Sequence, residues 1–147
     1  MRLLLQRSLE SKVEVNGEIV GQIPYGFVAL VSFTEGDTIK DIDYLVEKMI
    51  HLRVFDDENG VMNRSLLDVN GSILSISQFT LYADTKKGRR PSYMHALRGE
   101  ESSQLYTLFN EKIKALGIPC ETGIFGADMK VTIQNDGPAT FMLESRL

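Results

Sequence analysis

The sequence predicts an α+β domain, with a mostly antiparallel, barrel-like sheet and two principal helices. Three observations carry that reading. Val13-Glu14-Val15-Asn16-Gly17-Glu18-Ile19-Val20 sets Asn-Gly between alternating residues, the pattern of a hairpin closed by a type I′ turn. Phe27 to Phe33 (F-V-A-L-V-S-F) is almost continuously apolar, as expected of a central strand buried on both faces. Two stretches, 39–52 and 100–116, repeat apolar residues at helical spacing. At 147 residues the chain is expected to form one domain, 1–147, large enough for a hydrophobic core.

The elements follow in chain order. Met1 to Arg7 is a first strand, and its terminal position suits the inside of a sheet. After the hairpin, Pro24-Tyr25-Gly26 turns the chain into the central run, which Glu35-Gly36-Asp37 ends. The first helix can be capped by Asp37 or Thr38, and Thr38 with Asp41 has capping-box spacing. Ile42, Leu45, Val46, Met49 and Ile50 form its apolar face. Val54 to Gly60 becomes acidic and closes on an Asp-Glu-Asn-Gly turn, and Met62-Asn63-Arg64-Ser65 reads as loop. The segment from Ala83 to Gly99 is polar and basic, an exposed excursion with at most a short helix. The second helix has Leu105, Leu108, Phe109, Ile113 and Leu116 as its apolar face and Gly117 as its stop. Met129 to Gln134 is a strand, Asn135-Asp136-Gly137-Pro138 a turn, and Thr140 to Glu144 a closing strand.

The stretch 72–82, S-I-L-S-I-S-Q-F-T-L-Y, reads as one long strand. Its phase breaks in the middle: Leu74 and Ile76 share one parity, Phe79 and Leu81 the other. A regular strand would have to bury opposite faces in its two halves. Burial on both faces accommodates this. So does a bulge at Ser77-Gln78, a device common beside active sites.

Composition excludes several classes. Apolar content of 43% and charged content of 24% are those of a globular chain. A net charge of -4 and a pI of about 5.2 are wrong for a protein that coats nucleic acid, although a local basic patch fits. One cysteine, Cys120, allows no intramolecular disulfide and no Cys-rich zinc site, and points to a reducing, cytoplasmic setting. The apolar run in M-R-L-L-L-Q-R is too short for a signal peptide, and no run approaches a membrane span, so no membrane partner is expected. Two histidines and one cysteine are too few and scattered for metal-ligand spacing, and no cofactor is implied.

Four features are candidates for chemistry. In Ser77-Gln78-Phe79-Thr80, the Thr80 hydroxyl could be a nucleophile, but it needs an adjacent base. His51 lies in the amphipathic helix and is expected at the surface, His95 sits in the basic excursion, and no triad elbow is present. Backbone N–H groups of a distorted strand could instead form an oxyanion hole. The second feature, Asn135 to Thr140, is a hairpin turn on its residues alone, with Pro138 adding a constraint. The third, the run Lys86 to Arg90, is either a solvated loop or a local patch for a phosphate-bearing substrate. The fourth, Glu121 to Met129, is a glycine-bent connection with Phe125 in the core, or a loop offering that ring for stacking.

Taken together, Ser77-Gln78-Phe79-Thr80-Leu81-Tyr82-Ala83-Asp84, Lys87-Gly88-Arg89-Arg90-Pro91-Ser92, Glu121-Thr122-Gly123 with Phe125-Gly126-Ala127-Asp128-Met129, and Asn135-Asp136-Gly137-Pro138-Ala139-Thr140 strongly resemble the D-aminoacyl-tRNA deacylase family. Met1-Arg2 and Gln6-Arg7 fit too, so the resemblance spans nearly the whole chain. It implies a homodimer that hydrolyses the ester between a D-amino acid and the 3′-terminal adenosine of tRNA, and that also acts on mischarged glycyl-tRNA. It implies that Ser77, Gln78, Phe79 and Thr80 form the catalytic stretch. The Gly137-Pro138 bond would be cis and reach into the partner subunit's pocket, its carbonyls holding the α-amine and leaving no room for an L side chain. Asn135 and Thr140 bound that motif, and Arg7 would brace it. Phe125, Gly126 and Met129 would lie near the adenine, and Lys86, Lys87, Arg89 and Arg90 near tRNA phosphates.

The physics fits that assignment. An aminoacyl ester is already activated, so orienting it, stabilising the oxyanion and admitting water suffice; the amides around Phe79 and Thr80 could supply the second. The neighbouring ribose hydroxyl could assist the water. Exclusion of one hand by a clash or an unpaired buried amine discriminates more strongly than added apolar contact. Three rivals are a non-catalytic RNA-end or nucleotide-binding module, a different esterase using Thr80 and His95, and a purely structural subunit.

Overall fold

The computed structural model describes residues 1–146. In chain order they form β1 (Arg2–Ser8), β2 (Ser11–Val15), β3 (Glu18–Ile23), β4 (Gly26–Ser32), α1 (Ile39–His51), β5 (Phe55–Asp56), β6 (Met62–Arg64), β7 (Ser72–Ser77), a 3-10 turn (Phe79–Tyr82), α2 (Gly99–Ala115), β8 (Cys120–Thr122), β9 (Lys130–Thr132) and β10 (Asn135–Glu144). A five-stranded sheet runs β10-β1-β4-β7-β8, a three-stranded sheet β3-β2-β9, and β5 pairs with β6. The α+β class holds and antiparallel pairing predominates, but the β4–β7 and β7–β8 pairs are parallel. Among the described residues the sheets are open rather than barrel-like, because β10 and the three-residue β8 end the large sheet without pairing to each other. Each parallel pair is bridged by a helix, which is what parallel neighbours require.

The central strand is β4, as its unbroken apolar run predicts. Phe27, Ala29 and Val31 join Leu3, Leu5 and Ile73 in the core beneath α1 and α2. Val28 faces the other way, into a second cluster with Val13, Ile23, Leu74 and Ile76. Helices, mixed sheet and small sheet thus form three layers, with β4 and β7 buried on both faces.

Local signals build most elements as expected. Asn16 (φ 51°) and Gly17 (φ 79°) take the left-handed conformations that a type I′ turn needs. Thr38, not Asp37, caps α1: its hydroxyl accepts from the Lys40 amide at 3.2 Å, and Asp41 accepts from the Thr38 amide at 2.8 Å, completing the capping box. Asp37 is instead a buried carboxylate that accepts from the Met1 amino group at 2.8 Å and the Thr34 amide at 2.7 Å and pairs with Arg146. It ties β1 to the loop before α1.

Several expectations are corrected. The segment 62–65 is not all loop. Asp57 accepts from the Asn59 and Val61 amides and folds a tight ribbon of β5 and β6, anchored by Phe55 against Phe27 with ring centroids 4.9 Å apart. In α2 the buried face is Ser102, Tyr106, Phe109, Asn110 and Ile113; Leu116, expected inside, is 55% exposed because it lies beyond the last turn. Residues 135–138 do not turn between strands. They belong to β10, where Ser8 pairs with Asn135 and Gln6 with Thr140, so Arg7 alone faces an excursion of four residues. The Gly137-Pro138 bond within it is cis. No helix among the described residues is long and apolar enough to cross a membrane.

Gly26 begins the β4–β7 pairing opposite Ser72 with φ +144°, and an added Cβ would overlap the Ser72 carbonyl. Replacement by alanine must part the two strands. Gly26→Ala is expected to lower stability by about 3 kcal/mol or more. A urea-unfolding midpoint close to that of the unaltered chain would refute this role.

Candidate active site

The site is built on the end of β7. That strand pairs with β4 up to Ser77 opposite Val31, and the Gln78 amide then donates to the Val31 carbonyl at 2.8 Å. Beyond this point the chain leaves the sheet and tightens into the 3-10 turn Phe79–Tyr82. The phase break in 72–82 therefore marks neither a bulge nor eleven residues of strand, but a strand that stops. Its first part is buried on both faces, while Phe79 is 39% exposed. The Phe79 and Thr80 amides open the new turn and find no acceptor among the described residues.

A cavity of about 410 Å³ opens beside this turn. Ser77, Gln78 and Phe79 line it together with Phe125, Gly126 and Met129, two groups nearly fifty residues apart in sequence. The connection from β8 to β9 delivers the second group. Gly123 there has no room for a Cβ, which would lie 2.5 Å from the Met129 sulfur, so glycine lets the methionine pack against the backbone. Phe125 leans on Tyr106 with centroids 5.9 Å apart. The Tyr106 hydroxyl donates to the Ser75 carbonyl at 2.7 Å; burial pushes its pKa up and keeps it a donor. Phe79 meets the edge of Tyr93 at 5.1 Å and lies beneath Arg98 at 5.4 Å. Leu97, Arg98 and Ser102 complete this wall, and none was singled out for the cavity from sequence. Tyr106 adjoins the predicted apolar face of α2 and Ser102 lies one turn before Leu105 on it, but a serine carries no apolar signal and only packing makes it legible.

A second cluster lies where β1 and β10 part. Arg7 is 5% exposed and donates from Nη1 to the Val54 carbonyl at 2.8 Å and to Asp56 at 3.2 Å. Its Nε lies 3.2 Å from Asp136 Oδ2, but the N–H is not aimed at that oxygen, so this is an ionic contact without a directed hydrogen bond. Asn135 Nδ2 donates to the carbonyls of Arg7 at 3.0 Å and Ala139 at 3.1 Å, clasping both ends of the excursion. Gln6 Nε2 donates to Asn135 Oδ1 at 2.9 Å, and the Thr140 hydroxyl lies within hydrogen-bond distance of both the Pro138 carbonyl, at 3.0 Å, and Asn135 Oδ1, at 3.2 Å. Behind this clasp, Gly137 and Pro138 themselves are exposed. An added Cβ at Gly137, whose φ is +119°, would lie 2.7 Å from the Ala139 nitrogen and 3.0 Å from Arg7 Nη2.

The two clusters do not meet within one chain: no residue of 135–140 lines the cavity. Thr80 does not line it either; it is exposed, and its hydroxyl bonds no imidazole or carboxylate among the described residues. His95 stands apart, in a polar hollow with Arg2, Thr34, Tyr82 and Lys86. His51 is at the surface against Glu47. Lys86, Lys87, Arg89 and Arg90 are exposed on a loop closed by the Asp84–Ser92 bridge. Cys120 is buried, and burial raises its thiol to about 11, so it is no nucleophile at neutral pH.

The family model described as "D-Tyr-tRNA(Tyr) deacylase" matches residues 4–144. The chain is 55% identical over 146 residues to a D-aminoacyl-tRNA deacylase of Bacillus cytotoxicus, covering 99% of this chain and all of the relative. It is 54% identical, with the same coverage, to the protein of that name from Bacillus cereus strain AH187. Among solved structures, the c-Myc DNA Unwinding Element Binding Protein superposes with a TM-score of 0.94 at 37% identity over 100% of both chains. A probable eukaryotic D-amino acid tRNA deacylase superposes with a TM-score of 0.83 at 19% identity, covering 97% of this chain and 98% of that one, which shows a shared fold.

The buried thiol yields a pH test. Its folded pKa of about 11 lies above the ordinary 9.0, so its stabilisation is complete below pH 9 and is lost as pH climbs towards 11. A thiol reagent at pH 8 is expected to leave the native protein unlabelled and to label one thiol after urea unfolding. Rapid labelling of the native state would contradict this burial.

Proposed function

The chain belongs to the D-Tyr-tRNA(Tyr) deacylase family, and we propose that it is a cytoplasmic hydrolase that splits the ester of D-aminoacyl-tRNA with its main chain rather than with a reactive side chain. The observation that carries the mechanism is the pair of unpartnered amides at Phe79 and Thr80, at a turn whose first ring lines the cavity. Such donors, held without reorganisation, are what the tetrahedral oxyanion of ester hydrolysis requires. The adenine of the tRNA 3′ end lies among Phe125, Gly126 and Met129, and Ser77 and Gln78 hold the strand end that aims the amides. The ribose hydroxyl beside the ester assists the attacking water, so an imidazole is unnecessary. The exposed Lys86, Lys87, Arg89 and Arg90 meet acceptor-stem phosphates, and the rest of this acidic chain stays clear of the RNA.

Chirality is enforced by the Gly137-Pro138 corner of a second copy. Two facts support this: the corner is exposed yet clasped from behind by Arg7, Asn135 and Thr140, and it does not reach the cavity of its own chain. In the homodimer, its carbonyls receive the substrate α-amine and its backbone fills the space an L side chain would need. Glycine offers no side chain to exclude, so mischarged glycyl-tRNA is also a substrate. The activity is one of proofreading in translation.

Purified protein incubated with D- and L-tyrosyl-tRNA is expected to release only the D-amino acid. Tight tRNA binding with the D-ester left intact would favour a non-catalytic RNA-end module instead. Thr80→Ala and His95→Ala should each retain activity within about tenfold, since a lost catalytic nucleophile or base costs far more. Loss of turnover in both would establish a side-chain mechanism. Gly137→Val, which collides with Ala139 and Arg7, should lower D-ester turnover or admit the L-ester; unchanged rate and selectivity would remove the corner from the mechanism.

A further inference from the structure

Of the residues that line the cavity, Arg98 alone carries a charge. It is exposed, caps α2 without a side-chain cap bond, and has neither an ion pair nor a hydrogen bond from its side chain among the described residues. The acidic residues that follow it, Glu100 and Glu101, lie in the first turn of α2, where Glu100 accepts from Gln104 Nε2 at 3.4 Å. The guanidinium is nevertheless held in place: its carbon lies 5.4 Å from the centre of the Phe79 ring, within the cation–π range, and Tyr93 abuts that ring. A positioned arginine without an anionic partner, at the exposed edge of an otherwise uncharged cavity, suits a ligand with one negative charge at one end.

On the reading proposed above, the occupant is the terminal adenosine of an RNA. Its base, ribose and ester are uncharged apart from the α-amine, and its one negative charge is the phosphodiester joining it to the preceding nucleotide. We propose that Arg98 binds that phosphodiester and so anchors the terminal nucleotide in the cavity. The planar fork of arginine can hold two phosphate oxygens at once, and stacking on Phe79 reduces the freedom lost on binding. The identity of the ligand rests on the deacylase reading; the charge recognition rests on the cavity itself. This contact is distinct from those of Lys86 to Arg90, which lie on a separate loop and meet phosphates further along the strand.

The test titrates adenosine and adenosine 5′-(methyl phosphate), a singly charged diester, into the wild-type chain, Arg98→Ala and Arg98→Lys, followed by NMR. Wild type is expected to bind the diester roughly tenfold more tightly than adenosine. Arg98→Ala should lose that advantage while binding adenosine normally, and Arg98→Lys should keep part of it. No advantage in wild type, or one that survives in Arg98→Ala, overturns the inference. With D-tyrosyl-tRNA, Arg98→Ala should raise KM roughly tenfold at unchanged kcat and flatten the dependence of log KM on log salt by about 0.7. A fall in kcat with KM unchanged would mean that Arg98 merely holds Phe79, and overturns it too. A wild-type chain that shows the Arg98-dependent preference but cleaves no ester would remove the deacylase reading and leave the phosphodiester contact standing.

Discussion

The hydrogen bond from the Gln78 amide to the Val31 carbonyl is the point on which the site depends. It is the last backbone rung between two parallel strands buried on both faces; beyond it only side chains of the sheet reach the turn, Ser32 donating to the Phe79 carbonyl and Arg2 to that of Leu81. A buried amide left without a partner is costly, so chains seldom leave a central sheet this way except into water or a ligand site. Here the chain leaves beside a cavity, and the tight turn that follows presents two amides that a ligand oxygen can satisfy. The register that places this exit is set at the other end of the pair, where Gly26 lies against Ser72 too closely for any side chain. A close backbone approach at one end thus fixes where the polar backbone emerges at the other.

The Arg7 cluster solves a different problem, holding an exposed corner still. Four residues of β10 bulge opposite one residue of β1, and such an excursion would be mobile if its backbone groups were left to water. Asn135 bonds both ends, and Arg7, nearly buried, sits between Asp56 and Asp136 while its Nη1 also donates to the Val54 carbonyl. Two carboxylates around one cation leave an excess of negative charge there, and Tyr25 beside them keeps its proton, its pKa raised first by burial and then by Asp136 and Asp56. In the proposed homodimer, a second copy would receive a rigid corner, which exclusion by shape requires.

Charge is divided in the same economical way. The chain is acidic overall, yet its cavity carries a single cation and its exposed loop four within five residues. On the proposed function, this distribution would concentrate long-range attraction to RNA at the loop and the cavity, and the acidic remainder would repel the rest of the nucleic acid.

Much of this was legible in the residues themselves. Asn16-Gly17, the Thr38–Asp41 box, the apolar run of β4 and the stripe of α1 are local signals, because turn conformation, capping and side-chain period are decided within a few residues. The family motifs likewise marked Phe79, Phe125, Met129 and the Gly137-Pro138 corner, though not how they sit together. Tertiary structure alone decided that β7 stops at Ser77, that β8 pairs parallel to it, and that 135–138 continue a strand instead of turning. It also brought Tyr106 behind Phe125 and Arg98 across Phe79. The reason is that hydrogen-bond partners in a sheet, and the neighbours of a ring, lie tens of residues away in sequence. Periodicity states which side of an element is apolar; only the packed fold states what that side meets, and where the backbone is left unpaired.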